Sequence, residues 1–337
     1  MEYLSTIELV KDVLKTIERK RDKEIHSGLV GVPSGFISLD NLVLGWKKSD
    51  LIVFAAPQSM GKTSLILQIA RNIIENEIPV LFFTLETSAN QLVMKLLSME
   101  CELPLNKIQM GKLNDDERSV ITKKCVELFP EDYFYLNFED RYRDLKDIIG
   151  VCQSFKKKNR NGVIFMDNLQ QIINTSKIYS TRDHEIGDIV RELKSLAKEL
   201  DMPIIITSQM NRGIEYRSGN EKRPTFVDLK DSGEIENVSD IVCFIHRPEY
   251  YKIYKDANGN SLRGIAEVIV AKNRSGAVGD VRLRFICEYA KFANLNEGSA
   301  LEFNKLNYKE MTTTTGQKGA LIYGDEEEFI PDGSSPY

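Results

Sequence analysis

The most constraining feature of this 337-residue sequence is a series of short apolar runs that alternate with helical patterns from residue 50 onward. These runs are rich in β-branched and aromatic residues and cover 51–57, 80–86, 163–168, 203–209 and 241–247. Continuous apolar strands alternating with helices are typical of a parallel sheet covered on both faces. Two further runs, 266–273 and 281–286, predict an antiparallel hairpin at the end of that sheet. The sequence therefore predicts an α/β domain with a mostly parallel central sheet.

Composition narrows the class of protein. A content of 42% hydrophobic and 28% charged residues is enough to bury a sizeable core. No apolar run reaches the roughly 18 residues that a membrane helix needs, and the amino terminus is too charged for a secretory signal. The five cysteines lack paired spacing, and three histidines offer no zinc-ligand cluster. We expect a cytoplasmic protein without a membrane partner, with reduced thiols.

The net charge of −5 does not decide whether nucleic acid is a partner. Residues 311–337 contain five acids and one base, which leaves about −1 for residues 1–310. Phosphate contacts need locally concentrated Lys and Arg rather than a basic average. The body of the chain is therefore close to neutral, and DNA binding depends on particular segments.

Three regions are predicted along the chain. Residues 3–17 have the apolar spacing of an amphipathic helix, which docks either on a neighbouring subunit or on its own domain. We assign 1–25 to this linker helix, 26–296 to the α/β domain and 297–337 to an acidic, flexible tail.

The strongest local motif is Ala56-Pro-Gln-Ser-Met-Gly-Lys-Thr63, which follows an apolar strand and opens a helical run. That setting is the one a phosphate-binding loop requires. Backbone N–H groups at the loop and helix start can cradle phosphates, Lys62 can reach the outer phosphates and the Thr63 hydroxyl can ligate Mg²⁺. The predicted nucleotide ligands are Ser59, Met60, Gly61, Lys62, Thr63 and Ser64.

Three polar residues stand where apolar strands end. Asp167 follows the run 163–166, and a carboxylate at the carboxyl end of a parallel strand can complete the Mg²⁺ shell, although a simple turn residue is the alternative. Glu86 can polarise the attacking water, or can serve only as a charge near a helix start. Gln209 can hydrogen-bond the γ-phosphate and couple hydrolysis to movement, or can be a satisfied polar group.

A set of blocks in fixed order makes a family resemblance specific. The blocks lie within roughly residues 28–294 and read SGFISLDNLVLGW, APQSMGKT, FFTLETSANQLVMKLL, VIFMDNLQ, ITSQMNR, LKDSGEIENVSDIV, HRPEYY and AKNRSGAVGDVRL. Together they resemble the carboxy-terminal RecA-like domain of DnaB-type helicases. Ala56, which stands where the general loop pattern has Gly, also fits the way this family writes its loop.

The resemblance implies roles for further residues. Lys272 and Arg274 match a Lys-x-Arg pair that reaches the γ-phosphate of the neighbouring subunit, as an arginine finger does. From the residues alone, an ordinary solvated charge pair is the preferred interpretation. Lys95 matches a position near the nucleotide. The implied contacts to single-stranded DNA come from Lys230, Asp231, Ser232 and Gly233, with Arg212 and Arg217 in the basic stretch before them.

The resemblance predicts a motor that hydrolyses ATP with Mg²⁺ between subunits of a homo-oligomer, a ring of six, while moving on single-stranded DNA. A helicase loader is a further candidate partner. Family members carry an additional amino-terminal helical domain that meets primase, and only the linker-like helix precedes the motor here, which puts the primase contact in doubt.

Two other functions remain open. A RecA-like recombinase or related ATPase would share the phosphate loop but form a filament. A nucleotide-switched DNA-binding assembly factor would show negligible DNA-stimulated hydrolysis.

Overall fold

The computed structural model describes Leu14 and residues 29–128, 133–137, 143–217, 219–229 and 232–295. The predicted linker helix, 3–17, lies outside these residues except for Leu14, and the predicted tail, 297–337, lies wholly outside them. One compact unit comprises Gly28–Gly298. Its strands are β1 (Leu51–Ala56), β2 (Val80–Thr84), β3 (Phe134–Asn137), β4 (Val163–Asp167), β5 (Ile204–Gln209), β6 (Ile241–His246), β7 (Ile265–Asn273), β8 (Gly279–Ile286) and β9 (Lys291–Ala293).

In the described part of the chain these strands form one nine-stranded sheet in the order β3-β2-β4-β5-β1-β6-β7-β8-β9. The six strands from β3 to β6 run parallel, and β7, β8 and β9 join antiparallel. Parallel pairing sets Ala56 beside Gln209 and Thr84 beside Asp167. The carboxyl ends of β1, β2, β4 and β5 therefore meet at one edge of the sheet.

Helices cover both faces of the parallel part. The α-helices are α1 (Ile37–Val43), α2 (Lys62–Glu75), α3 (Ala89–Cys101), α4 (Leu105–Gln109), α5 (Asp115–Leu128), α6 (Leu145–Lys158), α7 (Arg182–Leu200) and α8 (Ser232–Val238). Short 3₁₀ turns include Leu169–Gln171, Arg212–Tyr216 and Phe226–Asp228. None of the helices in the described ranges combines the length and apolarity needed to cross a membrane.

The alternation of β1 shows why the core has two halves. Ile52, Phe54 and Ala56 pack into the cluster that includes α2 and α3, and the intervening Val53 and Ala55 pack into the cluster that includes α6 and α7. Successive strand residues point to opposite faces, so a strand covered on both sides must be apolar throughout. By contrast, β8 buries only alternate residues, because its other face meets solvent.

The expected α/β fold with a mostly parallel sheet is confirmed, including the antiparallel pair β7 and β8. The helix predicted to start after Ser88 is α3, and the Ser88 hydroxyl accepts the Gln91 amide at 3.3 Å. One boundary was wrong: the run 80–86 ends as a strand at Thr84, so Glu86 lies in the bend that follows. The short strands β3 and β9 were not predicted.

Candidate nucleotide site and a distant cationic pair

The loop between β1 and α2 has the backbone shape of an anion cradle. Ser59 and Gly61 have positive φ angles of 63° and 94°. Gly61 is the N-cap of α2 and no side chain caps the helix, so the first amides are left for an external acceptor. A Cβ on Gly61 would lie 3.1 Å from the Phe292 ring, in a conformation that favours glycine. Met60 and Ser64, the other two predicted nucleotide ligands around Gly61, are both buried.

Lys62 is folded back onto its own loop. Its Nζ donates to the carbonyls of Ala56 and Pro57, each at 2.9 Å. Burial lowers the pKa of Lys62, and the nearby carboxylates of Asp167 and Glu86 act in the opposite direction. Exchanging the two carbonyls for phosphate oxygens would give this ammonium a fully charged partner.

Asp167 is buried and both of its carboxylate oxygens have partners. Oδ2 accepts from the Thr63 hydroxyl at 2.6 Å, and Oδ1 accepts from the Thr207 hydroxyl at 2.5 Å. No group of three or more His, Cys, Asp or Glu side chains among the described residues could hold a metal ion. One carboxylate and one hydroxyl are hard oxygen donors. They fit Mg²⁺, which keeps several waters and is usually bound through one or two carboxylates plus substrate phosphates.

Glu86 is exposed and lies beside Asn168, the residue that follows Asp167. Its Oε2 accepts a hydrogen bond from the Asn168 side-chain amide, which ties the bend after β2 to the end of β4. Lys95 on α3 is half-buried, and burial lowers its pKa, while the charges of Asp167 and Glu86 raise it. Lys95 therefore lies within electrostatic reach of both carboxylates.

Gln209 lies at the same edge, at the end of β5. Its backbone N–H donates to Oε1 of Gln170 at 3.0 Å, and the Gln170 amide donates to the Ser208 hydroxyl at 3.0 Å. The amide of Met210 donates to the carbonyl of Ala56 at 3.1 Å, so the end of β5 is joined directly to the phosphate loop. A change at Ala56 can thus reach the segment after Gln209 through this hydrogen bond.

Sequence reasoning missed Asn168, Gln170 and Thr207 as parts of the site. It also missed Arg247, which donates to the Ser59 carbonyl at 3.3 Å and lies 3.7 Å from the Phe285 ring centroid. The available signal was position: each of these four residues ends a parallel strand or lies within three residues of its end.

Lys272 and Arg274 do not join this cluster. Lys272 pairs with Val242 at the start of β6, and the Arg274 amide donates to the Asp240 carbonyl at 2.9 Å. This is the amino-terminal edge of the parallel strands, whereas the phosphate loop follows the carboxyl end of β1. At about 3.3 Å per residue, six residues of strand separate the two edges by roughly 20 Å. Neither cation can serve the phosphate loop of its own chain.

The predicted DNA segment is partly visible. Lys230 and Asp231 lie outside the described residues, as do the side chains of Arg212 and Ser232. Ser232 begins α8, and Gly233 is exposed in its first turn, with no other atom within 4 Å of where a Cβ would stand. The segment thus enters a helix here rather than continuing as a loop.

Arg217 has a partner inside the same segment. Its guanidinium binds both carboxylate oxygens of Asp228, with one bond at 3.1 Å, and Asp228 also accepts the amide and hydroxyl of Thr225. Asp228 is 3% exposed. This bidentate pair fixes the turn that leads to the predicted DNA contacts.

Comparisons with known proteins agree on one family. Residues 31–294 match the DnaB-like helicase C-terminal domain. The replicative DNA helicase DnaB of Geobacillus stearothermophilus is 39% identical over 294 residues, which is 85% of this chain and 62% of that protein. The replicative DNA helicase DnaC of Bacillus subtilis (strain 168) is 36% identical over 294 residues, 86% of this chain and 63% of that protein. The chain thus spans less than two thirds of these relatives.

Solved structures give the same result. A structure described as an ATPase domain superposes with a TM-score of 0.77 at 30% identity, covering 87% of this chain and 100% of its own. A DnaB-like replicative helicase, solved in a study of its interactions with primase, superposes with a TM-score of 0.74 at 30% identity, covering 87% of this chain and 68% of its own.

Proposed function

Because this chain belongs to the family of DnaB-like helicase C-terminal domains, we propose that it is the ATP-driven motor of a replicative helicase that works as a ring on single-stranded DNA. One observation supports the proposal: Lys272 and Arg274 lie at the opposite edge of the sheet from Lys62 and Thr63, the residues that we assign to the phosphates and Mg²⁺. A cation that is needed at the γ-phosphate but cannot reach its own loop must act on a neighbouring copy. Head-to-tail contacts of this kind form a closed ring when the rotation between neighbouring subunits allows closure. We propose a ring of six copies.

Within one subunit the residues have separable tasks. The amides at the start of α2 and the Lys62 ammonium bind the phosphates, and Thr63 and Asp167 hold Mg²⁺, which neutralises charge on the transferring phosphoryl group. Glu86, with Asn168 donating to it, orients and accepts a proton from the attacking water. Lys272 and Arg274 of the next copy stabilise the negative charge that spreads over the γ-phosphate oxygens.

DNA contact is proposed for the segment 228–233, which combines charged side chains with exposed backbone at Gly233. Binding that relies on phosphates is sensitive to salt and tolerant of base sequence. A helicase loader is a proposed partner. We propose no primase contact for this chain, which matches less than two thirds of the length of these relatives.

Mixing two inactive variants tests the trans arrangement. Lys62→Ala removes the phosphate-loop cation, and Arg274→Ala removes the finger; each alone should lose at least about 10³-fold in turnover. Oligomers assembled from both contain interfaces with an intact Lys62 facing an intact Arg274. ATP hydrolysis with single-stranded DNA should therefore reappear in the mixture, while light scattering reports the same assembly for all samples.

Other results would point elsewhere. If the mixture stays inactive although both variants assemble and the Arg274→Ala variant binds ATP, Arg274 does not act between copies. Hydrolysis that ignores DNA would favour the nucleotide-switched assembly factor, and an open filament instead of a closed ring would favour a recombinase-like ATPase.

A further inference from the structure

The carboxyl end of α8 holds both cations of the proposed finger. The Lys272 ammonium donates to the carbonyls of Glu236 and Asn237, the latter at 3.2 Å. The Arg274 guanidinium also donates to the Asn237 carbonyl. The last carbonyls of a helix have no partner within the helix and carry the negative end of its dipole, so cations are favoured there. Both side chains are thereby fixed to one point on the chain.

Asp240 supplies the second anchor for Arg274. Its Oδ1 lies 3.4 Å from Nη1 of Arg274, and its backbone carbonyl accepts the Arg274 amide. The other oxygen, Oδ2, accepts the Leu51 amide at 2.8 Å and the Lys194 ammonium at 2.5 Å. Asp240 is 7% exposed. Its carboxylate is therefore locked to the start of β1 and to α7 before Arg274 binds it.

The anchoring leaves Arg274 open to a further partner. A guanidinium has five N–H donors in a rigid fork, and 47% of the Arg274 side chain is exposed. A guanidinium that is bound on one edge and exposed on the other has a fixed orientation and still has N–H donors for a further partner. Holding it also removes rotamer entropy that would otherwise be lost when it reaches a phosphate.

We propose that Asp240, together with the carboxyl end of α8, positions Arg274 for the nucleotide of the neighbouring subunit. The inference rests on the proposed function, and it adds Asp240 as a positioning residue that touches neither ATP nor water. Because α8 begins at Ser232, the two carbonyls that hold these cations, those of Glu236 and Asn237, lie three and four residues beyond Gly233, the last residue of the proposed DNA segment.

The mixed oligomer provides a directional test. Asp240→Asn is introduced into one of the two subunits. One option is the subunit that supplies Arg274 and already carries Lys62→Ala, here called the finger donor. The other is the subunit that supplies the phosphate loop and already carries Arg274→Ala, here called the nucleotide donor. Turnover and KM for ATP are measured at saturating single-stranded DNA. We expect a fall in kcat of about tenfold or more with the change in the finger donor, at an unchanged KM, and a fall at least fivefold smaller in the nucleotide donor.

Controls separate positioning from folding. Asp201→Asn is the matched control, because Asp201 also pairs with a lysine, Lys48 at 3.1 Å, but is exposed and hydrogen-bonds Lys48 and Ser49 instead of Arg274. This control should leave turnover unchanged in both mixtures. If Asp240→Asn does not assemble, Asp240→Glu keeps a carboxylate for Leu51 and Lys194 but moves it by one methylene group, and the same asymmetry is expected.

Equal losses of turnover with Asp240→Asn in the finger donor and in the nucleotide donor, or no loss with either, would overturn the role of Asp240. The proposed function would still stand, because the parent mixture of Lys62→Ala and Arg274→Ala tests it separately. If that parent mixture is inactive, the proposed function itself has failed.

Discussion

Thr63 and Thr207 grip opposite oxygens of the Asp167 carboxylate, at 2.6 and 2.5 Å. Thr63 comes from the helix after the phosphate loop and Thr207 from β5, so two different elements orient the carboxylate at the end of β4. Thr207 is not one of the two ligands that we assign to Mg²⁺, but it donates a hydrogen bond to one of them, Asp167, and so supports that ligand.

Thr207→Val should therefore weaken Mg²⁺ binding without removing a ligand. Losing the partner of a ligating carboxylate typically costs 10–100-fold in metal affinity, and we expect about tenfold more Mg²⁺ at half-maximal ATP hydrolysis. Titration of activity with Mg²⁺ measures this, and Asp167→Asn should show the larger loss. An unchanged Mg²⁺ requirement in a folded Thr207→Val protein would contradict the assignment.

Glu86→Gln should separate catalysis from binding. A general base contributes about 10²–10⁴-fold, so turnover should fall by that factor while ATP affinity is retained. Asn168→Ala, which removes the amide that holds Glu86, should produce a smaller fall. If Glu86 serves only as a charge near the start of α3, the melting temperature will change and turnover will not.

Arg217→Ala should act on the shape of the DNA segment rather than on phosphate contacts. Its partner is the buried Asp228, and leaving that carboxylate unpaired is costly. Asp228→Asn should therefore weaken DNA binding to a similar extent, with the slope of log K against log salt nearly unchanged in both. Lys230→Ala should instead reduce that slope by about one. A slope change of this size in Arg217→Ala would show that Arg217 contacts phosphate directly.

Asp50 should make stability depend on pH. Burial and the neighbouring Asp240 raise the pKa of Asp50 from 3.8 to about 6, opposed by Lys194, Lys47 and Arg274. Between pH 3.8 and about 6 the Asp50 carboxyl is protonated in the native state and ionised in the unfolded chain. The stability that this bound proton contributes is therefore lost as pH rises through about 6. Asp50→Asn should be more stabilising in thermal melts at about pH 7.5 than at about pH 5. A gain in stability from Asp50→Asn that is larger at the lower pH would contradict the sign.

The elements that were predicted correctly are those whose own residue pattern indicates whether they are buried or exposed. β1 is buried on both faces and is apolar throughout, and the loop before Lys62 stands between a strand and a helix. β3 and β9 are edge strands of four and three residues, too short for a pattern to emerge. Their place depends on the neighbour they pair with.

The site divides in the same way. Asp167 could be predicted because a single carboxylate closes an apolar strand, whereas Thr207 matters only through the register that sets β5 beside β4. Asp240 is an ordinary acid in the sequence. Its importance comes from three partners that are far apart along the chain, Leu51, Lys194 and Arg274.

The distance from Lys62 to Arg274 has a consequence for how such an assembly can fail. In the proposed arrangement each copy would supply half of one site and half of the next, so a single copy would lack a complete site and dilution alone would stop hydrolysis. A damaged phosphate loop would inactivate the interface on one side of a subunit, and a damaged Arg274 would inactivate the interface on the other. Hydrolysis at every interface of the proposed ring would therefore require every copy to be intact.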